Sequence, residues 1–107
     1  MLVRRIVGMN LGCEGGNCPN TYATERATTL VQGDAVAGRP RKVRVPQDLL
    51  DRHAQAVGAS QWVAATEDAG AGMVLVDGDP VTDSAVLDKI GVPEHEHLVE
   101  LVGEVAT

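Results

Sequence analysis

The sequence predicts a single small α+β domain that is mainly antiparallel β-structure, arranged as a duplicated hairpin or a small barrel. Three observations predict it. The 107 residues suffice for one hydrophobic core. Short segments of alternating or β-branched residues recur between glycine and proline turns, as is typical of strands. Two segments, 46–57 and 83–90, have the helical spacing of apolar residues instead. We therefore expect residues 1–107 to form one domain with two short helices.

The N-terminal third is expected to consist of two strands around a long loop. Residues 2–7 and 28–32 are rich in Val, Ile, Thr and Leu, and most of these favour a pleated surface. Residues 8–20 contain four glycines, three asparagines and a proline, and this composition predicts a loop. The Gly-Asp pair at 33–34 and the segment 37–41 predict two turns.

A strand and a helix are expected to meet at Pro46. Val43 and Val45 alternate with basic residues, which predicts a strand with one buried face. Pro46 suits the start of a helix, where its missing N–H costs no hydrogen bond. Gly58 is a suitable end for this helix. The side chains with helical spacing are Leu50, His53, Ala54 and Val57.

The second half of the chain is expected to contain three strands and the second helix. Residues 62–66 and 73–76 predict strands joined by a loose Asp-Ala-Gly-Ala-Gly loop, and 98–105 predicts the last strand. A threonine or aspartate at 82–83 is a suitable N-cap for the second helix, and Gly91 is a suitable end. The side chains expected to face the core are Val86, Leu87, Ile90, Val99, Leu101 and Val105.

One pattern occurs twice in the chain. Residues 30–36 read LVQGDAV and residues 75–81 read LVDGDPV, and an Ala-Thr-Glu triplet precedes each copy. This similarity predicts an internal repeat of 23–36 and 65–81, in which two hairpins cover each other's apolar faces. The alternative is a chance match, because Gly-Asp is a common turn and Leu-Val a common strand dipeptide.

The charge is divided unevenly between the two halves. Residues 1–52 contain eight of the nine Lys and Arg against five acids, whereas residues 53–107 contain Lys89 alone against ten acids. The net charge of −6 therefore describes neither half. Such an asymmetry is typical of interaction proteins.

The basic side chains are concentrated around one turn and the following strand, which makes DNA a candidate partner. Recognition of phosphates needs such a cluster, because each contact releases a counterion. The chain has one Trp, one Tyr and no Phe, and this composition argues against binding by base stacking. The alternative is a solvated rim, or a surface that pairs with the acidic half of another subunit. The candidate DNA-binding residues are Arg39, Arg41, Lys42 and Arg44.

A zinc site is a further alternative, although no cofactor is the main expectation. Thiolate and imidazole ligands suit Zn²⁺, and a glycine-rich loop can wrap around a metal. The alternative is a pair of reduced cysteines in a turn and a pair of exposed histidines before a strand. The candidate ligands are Cys13, Cys18, His95 and His97.

Catalysis is not expected, and no catalytic residue is assigned. The chain contains no nucleophile elbow, phosphate-binding loop or dinucleotide fingerprint. Residues 94–97, with sequence Glu-His-Glu-His, resemble an acid–base cluster, but we expect a solvated turn there. No apolar run is long enough for a membrane span or a signal peptide, so the expected location is the cytoplasm.

Two segments resemble small actinobacterial regulator-associated proteins. Residues 18–36 read CPNTYATERATTLVQGDAV and match their pattern Cys-Pro-x-x-Tyr-x-Thr-[Asp/Glu]-Arg followed by Val-Gln-Gly. Residues 43–50 read VRVPQDLL and match a later Val-x-Val-Pro-x-x-Leu-Leu segment. Members of this family are often encoded beside helix-turn-helix regulators. The resemblance covers about a third of the chain and implies a regulatory accessory role.

Residues 38–76 also resemble the swapped-hairpin module of AbrB and MazE proteins. That module has a strand ending in Val-Pro, a short helix, a glycine turn and two strands. The resemblance implies two interlaced chains, DNA contacts from the basic cluster, and a toxin as partner.

The expected function is therefore that of a non-enzymatic regulatory accessory protein, a homodimer that acts through protein–protein contact with a helix-turn-helix regulator or a toxin. The alternatives are a DNA-binding regulator or antitoxin and a small zinc-binding protein.

Overall fold

The computed structural model describes residues 1–9 and 19–107. Within these residues the chain forms one antiparallel sheet of eight strands and two short helices, which confirms the predicted α+β class. Most of the predicted loop 8–20 lies outside the described residues. The elements are β1 (Val3–Gly8), β2 (Asn20–Thr24), β3 (Thr29–Ala35), β4 (Lys42–Pro46), α1 (Gln47–Ala56), β5 (Thr66–Gly70), β6 (Met73–Asp77), β7 (Asp79–Pro80), α2 (Ser84–Ile90) and β8 (Glu96–Leu101).

Four strand pairings and the chain connection from β6 to β7 form a closed ring, so the sheet is a small barrel. β3 pairs with β4 and with β8, and β4 pairs with β6. The chain then runs through Gly78 from β6 into β7, which pairs with β8 and completes the ring. β2 and β1 extend the sheet beyond β3, and β5 extends it beyond β6. One chain therefore closes the barrel without a strand from a second copy.

The two Leu-Val-x-Gly-Asp segments contact the same pair of strands in opposite order. In the first segment, β3 pairs with β8 up to Asp34 and with β4 at Asp34 and Ala35. In the second segment, β6 pairs with β4 and β7 pairs with β8. A Cβ on Gly33 would lie 2.6 Å from the Arg44 carbonyl oxygen, and one on Gly78 would lie 2.8 Å from the Glu100 carbonyl oxygen. This shared arrangement supports the internal repeat, which stays a prediction.

The predicted turn at 33–34 is wrong. Gly33 and Asp34 lie inside β3, which continues to Ala35. The glycine is required there because the β4 backbone approaches too closely for a side chain, and a turn is formed only at 37–41.

Two apolar clusters lie on opposite faces of the sheet. The barrel interior is filled largely by valines, and Leu49 and Leu50 of α1 pack against them. Tyr22, Leu30 and Leu98 lie on the opposite face, where Val86 of α2 covers them. β8 is therefore buried on both faces. The fully buried valines of the interior are Val31, Val43, Val45, Val76 and Val99.

The first helix begins one residue later than predicted, after Pro46. Pro46 is the last residue of β4 and the N-cap of α1, with φ −64° and no side-chain cap bond. The predicted apolar stripe is buried at Leu50, His53 and Ala54. Val57 is 50% exposed because it follows the last helical residue.

The predicted strand at 62–66 is wrong, because the strand in this region runs from Thr66 to Gly70. Before it, Trp62 forms only an isolated bridge with Ala106. The Trp62 ring lies edge-on to the ring of His53, with 5.6 Å between centroids. The large side chain thus packs against α1 and does not line a strand. β5 is polar and is held by its hairpin with β6.

The last strand is shorter at its end than predicted. It runs from Glu96 to Leu101, whereas the sequence predicts 98–105. Gly103 has φ +92°, a conformation that ends the extended backbone. Val105 is nevertheless buried, as expected.

The second helix has the predicted N-cap and end. Asp83 accepts a hydrogen bond from the Ala85 N–H at 2.9 Å, and Gly91 ends the helix in the left-handed conformation. Among the residues that the structure describes, no helix is long and apolar enough to cross a membrane.

Removal of the Asp83 cap is expected to destabilise the protein. Asp83→Ala leaves the Ala85 N–H without its acceptor, so we expect the free energy of unfolding to fall by about 1 kcal/mol. Urea denaturation measures this loss. Asp88→Ala is the matched control, since Asp88 is exposed on the same helix and caps nothing. An equal loss in both variants would contradict the prediction.

Candidate functional site

A cavity of about 470 Å³ lies between α2 and the outer face of the barrel. Leu98 of β8 and Leu87 of α2 line it, and Pro40 reaches it from the turn after β3. Its volume falls within the range of ordinary ligand pockets. We call it the α2 groove. Its lining consists of Pro40, Pro80, Val81, Thr82, Leu87, Val92, Pro93, Glu94, Glu96, His97 and Leu98.

A chain of buried polar side chains extends from the α2 groove. Gln32 is its centre and is 1% exposed. Its Nε2 donates to Glu96 Oε1 at 2.8 Å. Its Oε1 accepts from the Tyr22 hydroxyl at 2.8 Å and from Asn20 Nδ2 at 3.2 Å. Because both of these groups are donors here, they hold the Gln32 amide with its N–H facing Glu96.

Glu96 is a buried carboxylate at the end of this chain. It is 3% exposed, and burial raises its pKa. The hydrogen bond from Gln32 opposes this shift, and the nearby Asp34 carboxylate adds to it. Burial likewise raises the pKa of Tyr22.

The sequence misses Glu96, because residues 94–97 are predicted to be a solvated turn. Glu94, His95 and His97 are exposed, as predicted. Glu96 is buried, so the prediction is wrong for this residue. Glu96 is the first residue of β8 and shares a face with Leu98, which α2 covers. The two-residue spacing from Leu98 is the signal in the sequence that indicates its burial.

Asp34, His95 and Glu96 form a cluster whose potential ligand atoms all lie within 4.8 Å of one another. Asp34 and Glu96 are register partners in β3 and β8, so the two carboxylates lie on one face of the sheet. The Ala35 N–H donates to the His95 carbonyl at 3.0 Å and thereby holds His95 beside them. His97, a predicted zinc ligand, is outside this cluster. The other predicted ligands, Cys13 and Cys18, lie outside the described residues.

The basic cluster is neutralised largely by acids of the second half of the same chain. Arg39 pairs with Glu67 at 3.0 Å. Arg41 pairs with Asp77 at 3.1 Å and Asp79 at 2.7 Å.

Lys42 and Arg44 complete the predicted DNA-binding set. Lys42 lies 3.6 Å from Glu67 and 3.8 Å from Asp77. Arg44 forms no ion pair with any described residue. Three of the four cations thus face three carboxylates, which reduces the positive potential that DNA binding needs. DNA binding stays a prediction, and these contacts do not favour it.

The basic cluster pairs with Glu67, Asp77 and Asp79, so the acids near α2 keep their negative charge unpaired. Glu94 lines the groove, Asp83 begins α2 and Asp88 lies on it, and none of them has an ion-pair partner within residues 1–9 and 19–107. Lys89 is the only cationic side chain on α2. The groove is therefore largely apolar, Glu96 is a buried acid of its lining, and the exposed carboxylate of Glu94 lies at its rim.

His53 has a structural role, as its position on the apolar stripe predicts. It is 2% exposed, and its Nδ1 lies 2.8 Å from the Thr21 hydroxyl. Burial lowers its pKa, so the neutral ring is favoured.

Comparison of the chain with protein-family models, with curated proteins and with solved structures gives no match.

Proposed function

We propose that this protein is a non-enzymatic regulatory accessory protein that binds a basic, apolar segment of a partner protein in the α2 groove. One observation carries the proposal: a largely apolar cavity is lined by two acids, Glu94 and Glu96, that form no ion pair in the described part of the chain. Apolar side chains of the segment fill the cavity, and its Lys or Arg side chains meet the acidic rim. Such residues suit this surface because their long stems pack on apolar groups while the charge stays at the rim.

The division of charge in the sequence supports this choice of partner. Glu67, Asp77 and Asp79 are paired with the basic cluster, and Glu100 is paired with Arg26 at 3.1 Å. The acids left around α2 are available to a second molecule. Helix-turn-helix regulators are DNA-binding proteins and carry the positive charge that this rim complements. The resemblance to regulator-associated proteins is consistent with that class of partner.

Peptide selection tests the proposal. We expect random peptides displayed on phage and selected on the immobilised protein to contain an apolar core flanked by Lys or Arg. Leu87→Asp places a charge in the groove wall and is expected to weaken binding of the selected peptides by at least about tenfold, as measured by calorimetry. Raising the salt concentration is expected to weaken binding further.

Leu2→Asp is the matched control, because Leu2 is 66% exposed and does not line the groove. Circular dichroism checks that both variants fold. Selection of acidic peptides, or equal binding by wild type and Leu87→Asp, would contradict the proposal.

The homodimer that the sequence predicts stays a prediction. One chain supplies every strand of the barrel, so we propose that such a dimer forms by surface contact. Sedimentation equilibrium of wild type and Leu87→Asp decides whether a second copy occupies the α2 groove. A wild-type dimer that dissociates in Leu87→Asp would replace the proposed partner segment by a second copy of this chain.

A further inference from the structure

We propose that Asp34, His95 and Glu96 form a binding site for a divalent transition-metal ion, with Zn²⁺ as the preferred ion. The site does not rest on the proposed function. It lies where the end of β3 meets the start of β8, at the margin of the α2 groove.

The three side chains are brought together by pairing of the strands. Asp34 and Glu96 are directly opposite each other in the β3–β8 register. The hydrogen bond from the Ala35 N–H to the His95 carbonyl continues this pairing by one residue. One ligand atom from each residue lies within 4.8 Å of the other two. Ligands bound to one Zn²⁺ are about 3.4 Å apart, as follows from tetrahedral bonds of about 2.1 Å. Asp34 and His95 are exposed, so side-chain rotation can close this difference.

Glu96 is held as a metal ligand is usually held. Its Oε1 accepts from Gln32 Nε2, and Gln32 is itself oriented by Tyr22 and Asn20. Carboxylates that bind metals are typically fixed by such hydrogen bonds from outside the site. Its Oε2 has no hydrogen-bond partner among the described residues and is not a fully buried atom, so it can accept a ligand from the solvent side.

The charges around the cluster leave it without a counterion. Two carboxylates lie within 4.8 Å of each other, and neither forms an ion pair in the part of the chain that the structure describes. Arg44 is opposite Asp34 on β4, but it is not within ion-pair distance of either carboxylate. The neighbouring cations Arg39, Arg41 and Lys42 are bound to other acids. A bound divalent cation therefore balances the two carboxylates.

The ligand types select the class of ion. Imidazole favours zinc and its transition-metal neighbours, whereas Mg²⁺ and Ca²⁺ prefer oxygen ligands alone. Three protein ligands leave at least one coordination position for water or for a donor of a bound molecule.

Calorimetry with ZnCl₂ tests the site, using the full chain after its metal has been removed with EDTA. We expect wild type to bind one Zn²⁺ ion at the cluster. Asp34→Asn and Glu96→Gln are each expected to weaken binding by about tenfold to a hundredfold. Glu96→Gln keeps the acceptor for Gln32, so it is expected to fold, and circular dichroism checks this.

Glu94→Gln and His97→Gln are the matched controls, since both residues are exposed near the cluster but do not belong to it. We expect them to change the affinity by less than about twofold. An equal effect of Glu94→Gln and Asp34→Asn would overturn the proposal, because it would indicate general attraction to acidic residues. Absence of saturable Zn²⁺ binding by wild type would overturn it as well.

A cysteine site is the remaining outcome to be distinguished. Co²⁺ bound by Asp34, His95 and Glu96 gives no thiolate-to-cobalt charge-transfer band, so we expect this absorption band to be absent. If replacing Cys13 and Cys18 by serine abolishes Zn²⁺ binding while Asp34→Asn retains it, the ion belongs to the cysteines and the proposal is wrong.

Discussion

Gly33→Ala is expected to destabilise the protein by about 3 kcal/mol, the upper part of the range for overpacking a buried site. The added Cβ would lie 2.5 Å from Val45 Cγ1 and 2.6 Å from the Arg44 carbonyl oxygen. The valine is fully buried, and the carbonyl belongs to a strand paired on both edges, so neither can move freely. Denaturation in urea measures the loss of free energy of unfolding.

Gly38→Ala is the control for this substitution. Gly38 has φ +73° and no atom within 4 Å of the added Cβ, so only the left-handed backbone is penalised, at about 1 kcal/mol. Gly78→Ala is expected to be destabilising as well, because its Cβ would meet the Glu100 carbonyl oxygen at 2.8 Å. It provides a measurement even if Gly33→Ala does not fold. A loss at Gly33 or Gly78 no larger than that at Gly38 would contradict the role of close strand contacts in closing the barrel.

Gln32→Met is expected to lower the free energy of unfolding by about 3 kcal/mol near pH 8. The substitution preserves an unbranched side chain but removes one donor and one acceptor from a buried position. Glu96 loses the N–H that stabilises its charge, while Tyr22 and Asn20 lose their acceptor. Urea denaturation in EDTA measures the effect on the metal-free protein. Gln55→Met, at an exposed position on α1, is the control and is expected to have little effect.

The effect of Gln32→Met is expected to depend on pH through Glu96. Burial raises the pKa of Glu96 in the folded chain above its unfolded value, so the folded state binds this proton more tightly. Protonation of Glu96 therefore contributes fully to the free energy of unfolding at pH values below its unfolded pKa. This contribution is lost as the pH rises through the folded pKa.

Removing Gln32 raises the pKa of Glu96 further, because its N–H favours the ionised form. We therefore expect the loss to be larger near pH 8 than near pH 4. In the Glu96→Gln background this difference between the two pH values is expected to disappear. A loss that is the same at both pH values in the wild-type background would contradict the role of Glu96.

The candidate site is only partly visible in the sequence. The histidines and acids of 94–97 stand out by type, and the basic cluster stands out by charge. Their roles depend on contacts between residues that are far apart in the chain. Glu96 is buried because Gln32 and Leu98 lie beside it, and Gln32 is 64 positions earlier in the chain. The basic cluster is paired because β4 lies beside β6, which carries Asp77. The two-residue spacing from Leu98 indicates the face of Glu96, but the sequence does not show that β3 brings Gln32 beside Glu96 or that β6 brings Asp77 beside Lys42.

The sequence by itself determined the α+β class, the two helices and the division of charge, because these depend on local spacing and composition. Val43 and Val45 alternate, Asp83 caps and Gly91 ends a helix without reference to distant residues. Only the tertiary structure decided that Gly33 lies in a strand, that Trp62 packs on α1, and that the basic and acidic halves face each other. These features depend on which strands become neighbours when the ring closes, and that choice is made by packing of the whole chain.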